Sequence, residues 1–252
     1  MNWIIGKIYK IKRWNEKLFT LIIHASIDPF KAGQFTKLAI FDNKKKKISI
    51  QRAYSFVNPP KKKNLEFYIL LIPNGKLTNY LYNLKPSEKI LISKNSFGFF
   101  TIDKIKNCEN LWMISTGTGI GPYISILQDN IWKTKFKRVI IVNAVRYKSD
   151  LIYLPILKKI KKENKERIKI ITIISREKFS NKQILKKRIP NLIKNNILEE
   201  KVGIKINSEN SHVMLCGNPN MVRETKQILQ EEKKLTKNLI RKPGQITTEN
   251  YW

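Results

Sequence analysis

Hydrophobic positions along the chain follow two different periods. Over the first hundred residues, runs rich in Ile, Phe, Tyr and Val fall at 3–11, 18–24, 35–41, 48–57 and 65–72. They read as strands, and Phe35, Lys37, Ala39 and Phe41 share one face of an alternating one. Turn formers separate the runs: Asp28-Pro29, Asp42-Asn43-Lys44, Asn58-Pro59-Pro60 and Pro73-Asn74-Gly75. Several short strands at this spacing predict a small antiparallel barrel. One helix is predicted to interrupt it, from 78 to about 84, stopped by Pro86.

Near residue 105 the pattern changes. A short apolar run at 111–115 leads into Gly117-Thr118-Gly119-Ile120-Gly121-Pro122 and a helical stretch to about 129. Strands are predicted at 138–144, 168–174 and 212–216, and helices from 155 to about 164 and from 219 to about 234. Strands alternating with helices predict a parallel sheet covered on both faces. The expected fold class is therefore two domains: an N-terminal antiparallel β-barrel over 1–104, then an α/β parallel-sheet nucleotide-binding domain over 105–252. No internal repeat is present.

Composition agrees with a folded chain. Of 252 residues, 42% are hydrophobic, which excludes a disordered protein. The formal net charge of +31 points first to a nucleic-acid binder. Against that, the basic residues are scattered through every segment, and Lys far outnumbers Arg. Lys, Ile and Asn share AT-rich codons, so codon drift on a solvated surface explains much of the excess, and the run 44–47 reads as a solvated loop. Whatever its origin, such a surface attracts acidic partners. Cys108 and Cys216 stand far apart in no metal-ligand spacing, and His24 and His212 are isolated, so no structural metal is expected. The N-terminus has no basic leader before an apolar stretch, and no apolar run reaches membrane-spanning length. A soluble, cytoplasmic protein is expected.

Four short motifs carry candidate chemistry. Arg52-Ala53-Tyr54-Ser55 ends a predicted strand. An arginine fork suits a phosphate, a tyrosine face suits an aromatic ring, and a hydroxyl suits a ring nitrogen. Together these describe a flavin nucleotide, although the tetrapeptide alone is better read as an exposed arginine and a core tyrosine on a strand. Gly75-Lys76-Leu77-Thr78 precedes a predicted helix with Thr78 as its N-cap, which makes an anion site or simply a capped helix. The glycine spacing of 117–122 is not that of the usual dinucleotide fingerprint, yet it allows close approach to the backbone, with Pro122 starting a helix. Cys216-Gly217-Asn218-Pro219 again lies at the carboxyl end of a strand, where ligands of parallel sheets bind.

Taken in order, these motifs resemble the bacterial ferredoxin/flavodoxin–NADP reductases, end to end. The likeness includes Ala32-Gly33-Gln34-Phe35, the Arg-x-Tyr-Ser tetrapeptide, the Gly-Lys-Leu-Thr turn, the Gly-Thr-Gly-Ile-Gly-Pro loop, Cys-Gly-Asn-Pro-x-Met and the terminal Tyr251-Trp252. The resemblance implies a barrel that holds FAD and a second domain that holds NADP(H). By it, Arg52 meets the flavin phosphate, Tyr54 the ring face, and Ser55 the region of the reactive nitrogen, with Ala53 beside them. Tyr68, Ile69, Leu70 and Leu71 form the strand beside the FAD, and Lys76, Leu77 and Thr78 meet its pyrophosphate. Thr118 lies where the two cofactors approach, and Gly217, Asn218 and Pro219 are implied in cofactor binding. Ser55, Cys216 and Glu249 form the catalytic set, Cys216 also fitting a plain buried cysteine. Arg146, Arg176 and Arg188 are implied at the extra phosphate that separates NADP from NAD, with Val145 and Ser175 also in the cofactor site, though in so basic a chain each arginine alone also fits surface charge. The tail returns to the flavin, with either Tyr251 or Trp252 covering the ring and the terminal aromatic stacking on adenine in the bacterial subgroup.

The activity implied is electron transfer between NADPH and flavodoxin or ferredoxin, by a protein expected to be monomeric with no nucleic-acid or membrane partner. A free-flavin reductase of the same fold is the nearest alternative, and a basic nucleic-acid-binding module the alternative from another class.

Overall fold

The computed structural model describes residues 2–42, 44, 46–177 and 185–251. Its chain divides into two compact units, Met1–Thr101 with Gly121–Asp129, and Ile102–Ile120 with Asn130–Trp252.

In the first unit, strands β1 (Trp3–Arg13), β2 (Leu18–His24), β3 (Phe35–Asp42), β4 (Lys47–Ser55), β5 (Asn64–Leu70) and β6 (Lys89–Ser93) make one antiparallel sheet. Their order is β4-β3-β6-β1-β2-β5. Alternation aims Phe19, Leu21, Ile23, Leu38, Phe67 and Ile92 into one apolar core, which helix α1 (Lys76–Asn83) joins through Leu77 and Leu81. Phe35, Lys37 and Ala39 share the face opposite Leu38, and a register shift between Ile40 and Phe41 leaves Phe41 exposed. Two elements differ from the expected ones. Strand β6 is added, because five residues are too few to show a period, yet β1 and β3 hydrogen-bond it on both sides. Strand β4 stops at Ser55, since Phe56 leaves β3 to bridge Phe67 of β5.

Helix α2 (Gly121–Asp129) follows the glycine loop in sequence but belongs to this first unit. Ser125 Oγ donates to the Asn58 carbonyl at 2.7 Å, and the Tyr123 and Phe100 rings lie 5.7 Å apart. The division therefore differs from a single cut at residue 104.

The second unit is a five-stranded parallel sheet ordered β11-β10-β7-β8-β9. Its strands are β7 (Asn110–Thr116), β8 (Arg138–Val145), β9 (Ile168–Ile174), β10 (Ser211–Gly217) and β11 (Ile246–Asn250). Consecutive residues Leu111, Trp112, Met113 and Ile114 are all buried, so both faces of the sheet are covered. Helices α3 (Trp132–Lys135), α4 (Leu154–Asn164), α5 (Ile189–Lys194), α6 (Ile197–Val202) and α7 (Pro219–Glu231) complete the unit. Leu192 and Ile193 of α5 and Met221, Val222 and Leu229 of α7 pack on Trp112, Ile114, Val213 and Leu215. Strand β11 and helices α3, α5 and α6 were not expected. Thr247-Thr248-Glu249-Asn250 has no strand-like alternation, and pairing with β10 makes it a strand. Among the described residues no helix is long and apolar enough to cross a membrane, and no group of His, Cys, Asp or Glu could hold a metal ion.

Candidate functional site

The first-unit candidates gather where the barrel fails to close. Strands β4 and β5 are the two ends of the sheet order and touch at one bridge, Phe56–Phe67, with Val57 N donating to Glu66 O at 2.9 Å. Beyond that bridge the ladder between them is not continued, so residues 52–55 and 68–71 flank an opening in the hydrogen-bonded ladder. Stacking of Phe30 on Phe56, with Phe67 5.5 Å from Phe56, fixes the two strands at the bridge.

Along this opening, Arg52 and Ala53 are exposed, Tyr54 is half-buried and Ser55 is buried. Arg52 Nη1 donates to the Gln51 carbonyl at 2.8 Å. The Tyr54 ring meets Phe67 edge-on at 6.5 Å, so one edge is braced by the core. Burial raises the Tyr54 phenol above its ordinary range, against a smaller opposing pull from Arg52. On β5, Tyr68 and Ile69 are buried, Leu70 is half-buried, and Leu71 N donates to Lys17 O at 2.7 Å just past the strand.

Thr78 is not the N-cap of α1. The cap is Gly75, which makes no side-chain cap bond, and the helix starts at Lys76. The Thr78 hydroxyl instead closes the turn before the helix, accepting from Ile72 N and donating to Gly75 O, each at 3.2 Å. A glycine cap offers no side-chain acceptor, so the leading amides at Lys76, Leu77 and Thr78 suit an outside anion. The exposed Arg52 guanidinium, the braced Tyr54 ring and the uncapped helix start are together a donor set that could hold a flavin dinucleotide.

All the second-unit candidates described lie at the carboxyl edge of its parallel sheet or just beyond it. The chain runs β7, β8, β9 to one side, then returns to place β10 against the other flank of β7. This reversal is a topological switch point, where such sheets bind nucleotides. The loop holding Thr118 follows β7, and Gly217-Asn218-Pro219 follows β10, so both flank the switch point.

The glycines here serve two different needs. A side chain at Gly119 would lie 2.6 Å from the Cys216 carbonyl, so that glycine lets two strand ends pack together. Gly117, with φ +54, has nothing within 4 Å of the place a Cβ would take, leaving open space for a ligand. Asn218 N donates to Thr116 Oγ1 at 2.8 Å, while the Asn218 side chain accepts from Asn220 N and Met221 N and caps α7. Thr116 was missed from sequence, because nothing in it shows that β7 and β10 end side by side.

At the arginine end, Ser175 N and Oγ both donate to Val145 O, at 3.0 and 3.2 Å, and Arg176 N donates to Arg146 O at 2.9 Å. The structure thus brings Arg146 and Arg176 together. Arg188 stands three residues past Leu185, which bridges Ile173 of β9, and its Nη2 pairs with Glu224 Oε1 at 3.0 Å. Glu177 Oε1 accepts from Lys148 N at 2.7 Å, tying the loops after β8 and β9. Neither Glu177 nor Glu224 carries a local sequence signal.

Cys216 sits opposite Ser115 on one side and Glu249 on the other in the strand register. Its thiol is wholly buried, and burial followed by the Glu249 charge pushes it well above the usual thiol range, with a hydrogen bond from Tyr251 pulling the other way. Tyr251 N donates to Gly217 O at 2.9 Å, which fixes the tail at this edge. Trp252 lies outside the described residues.

Known proteins match the chain at three levels. The oxidoreductase NAD-binding domain family matches residues 113–227. Over 256 residues the chain is 54% identical to the flavodoxin/ferredoxin–NADP reductase of Buchnera aphidicola subsp. Schizaphis graminum, covering 99% of each. It is 45% identical over 252 residues to the flavodoxin/ferredoxin–NADP reductase of Escherichia coli K12, covering all of this chain and 99% of that one. Among solved structures, the ferredoxin NADP+ reductase of Neisseria gonorrhoeae with bound FAD and NADP superposes with a TM-score of 0.91 at 32% identity, covering 99% of each chain.

Proposed function

Because the chain belongs to the flavodoxin/ferredoxin–NADP reductase family, we propose that it passes electrons between NADPH and flavodoxin or ferredoxin through bound FAD. The opening between β4 and β5, lined by Arg52, Tyr54 and Ser55 and followed by the uncapped start of α1, is the observation that carries this reading. Bound FAD supplies the chemistry that nicotinamide lacks, taking two electrons as a hydride and releasing them singly.

The protein's own residues bind and orient. Arg52 offers charge-assisted hydrogen bonds to the FAD phosphate, and the amides of Lys76, Leu77 and Thr78 face its pyrophosphate. Tyr54, braced by Phe67, presents its ring to the flavin, with Ser55 next to it and the strand from Tyr68 to Leu71 on the other side. In the second unit Thr118 and Gly217–Pro219 (217–219) receive the nicotinamide half. Arg146, Ser175, Arg176 and Arg188 receive the 2′-phosphate of NADP, and Val145 holds Ser175 through its carbonyl. Cys216 is a buried, neutral thiol beside the half-buried Glu249 carboxylate at the nicotinamide end.

The partners are acidic redox proteins met by a strongly basic monomer. The absorption spectrum of the purified protein tests the cofactor, and NADPH-driven reduction of flavodoxin, ferredoxin and free flavin tests the acceptor. A protein that stays colourless after incubation with FAD refutes the reading, and turnover with free flavin alone makes it a flavin reductase.

A further inference from the structure

Of the three arginines assigned to the 2′-phosphate, Arg188 already holds an anion. Its Nη2 donates to Glu224 Oε1 at 3.0 Å, joining the residue that caps α5 to a side chain in the second turn of α7. The two helices are fixed relative to each other, because Leu192 and Ile193 of one and Met221 and Val222 of the other share a core. Both partners reach solvent, Glu224 with 36% and Arg188 with 64% of the side chain exposed. A pair so exposed is weak, with a coupling of about 0.2–1 kcal/mol. A phosphate with two charges and three acceptor oxygens can engage the guanidinium fork more fully than one carboxylate.

We propose that Glu224 is a specificity-determining positioning residue whose carboxylate stands in for the 2′-phosphate, holding Arg188 until NADP(H) displaces it. This rests on the assignment of Arg188 to that phosphate. The pair keeps the guanidinium in place when no dinucleotide is bound. It also sets a carboxylate against the incoming phosphate, which moderates NADP(H) affinity and eases product release. NAD(H) lacks the phosphate and does not compete with Glu224.

Calorimetric titration of NADP+ and NAD+ into the FAD-loaded wild type, Glu224→Gln, Arg188→Ala and the double variant tests this without recourse to turnover. Glu224→Gln keeps the shape and removes the charge. It is expected to bind NADP+ about 1.4–5-fold tighter, the range set by an exposed pair, with NAD+ unchanged. The gain must vanish in the Arg188→Ala background. Weaker NADP+ binding by Glu224→Gln overturns the proposal, because the carboxylate would then support the phosphate site. An equal gain with and without Arg188 overturns it in favour of long-range repulsion, and no change at all makes the pair inert. If Arg188→Ala leaves the ratio of NADP+ to NAD+ affinity intact, the underlying assignment of Arg188 fails, and the proposal with it.

Discussion

Cys216 and Glu249 face each other in register across the parallel pair β10 and β11. With Ser115 opposite Cys216 on its other flank, and Asn143 and Thr172 continuing the register, a polar row crosses the sheet near its carboxyl edge. Ser115 Oγ donates to Val142 O at 3.2 Å, so part of this row is satisfied internally. The thiol is kept neutral by burial first and by the Glu249 charge second.

A difference between the two thiols follows. Cys108 is only partly buried and its pKa is pushed up to about 11, chiefly by burial, whereas Cys216 has no exposed surface. A disulfide reagent at pH 8 should label Cys108 first and Cys216 only on unfolding. Glu249→Gln removes a repelling charge but leaves the thiol buried, so labelling of Cys216 should still wait on unfolding. Equal rates for both native thiols would contradict the buried setting.

His212 gives the acid limb of stability. Its Nε2 lies 2.8 Å from Thr247 Oγ1, and burial, with Lys135 adding a smaller push, lowers its pKa from 6.5 to about 3. The unfolded chain binds the proton more readily, so this contribution is complete above about pH 6.5 and is lost as pH falls to about 3. At about 1.36 kcal/mol per pKa unit, the loss is on the order of 4–5 kcal/mol. Urea unfolding of His212→Asn should show a flatter slope between these pH values, even if the variant is less stable at pH 7. An unchanged slope would place the acid sensitivity elsewhere.

Replacing Arg52 with Ala should loosen FAD by about 1.5–3 kcal/mol, the worth of a hydrogen bond to a charged group. Flavin fluorescence after dilution reads the released fraction. Retention equal to wild type removes Arg52 from the FAD site.

Arg176 is held beside Arg146 by a 2.9 Å backbone bond, so the pair presents two positive side chains at one strand edge. Arg176→Ala should lower kcat/KM for NADPH by tenfold or more, about 1.5–3 kcal/mol for a charge-assisted contact, while that for NADH changes little. Parallel loss with both coenzymes would mean that the arginine does not read the 2′-phosphate.

The charge of +31 should act on the protein partner more than on the coenzyme. Exposed charges are screened over about 8 Å at physiological salt. Flavodoxin reduction should fall steeply as ionic strength rises, while the half-reaction with NADPH in stopped flow changes modestly. A parallel fall points to the arginine cluster, and no fall in either means the excess lysines take no part in docking.

Where the chain carries a period or punctuation, its elements are legible in the sequence itself. The strands of 3–11 and 18–24, the shift near 105 and the glycine loop all follow from local spacing. The Arg52–Ser55 and Cys216–Pro219 motifs (52–55 and 216–219) were likewise visible as strand ends, because alternation and turn formers act over a few residues. The change of hydrophobic pattern near residue 105 also gave the two-domain class, since a barrel and a βα alternation carry different periods.

Tertiary structure decided what depends on residues far apart in the chain. β11 is a strand because β10 offers it a ladder, and β6 because β1 and β3 close on it from both sides. Thr78 lost its expected cap role when the turn from Ile72 claimed its hydroxyl. The opening in the ladder beside Arg52, Tyr54 and Ser55 exists only because β4 and β5, the two ends of the sheet order, meet at a single bridge. The partners of the charged site, Glu224 for Arg188 and Glu177 for Lys148, are 36 and 29 residues away. A local pattern specifies which face a residue takes, whereas strand order and helix packing specify which distant side chain it meets.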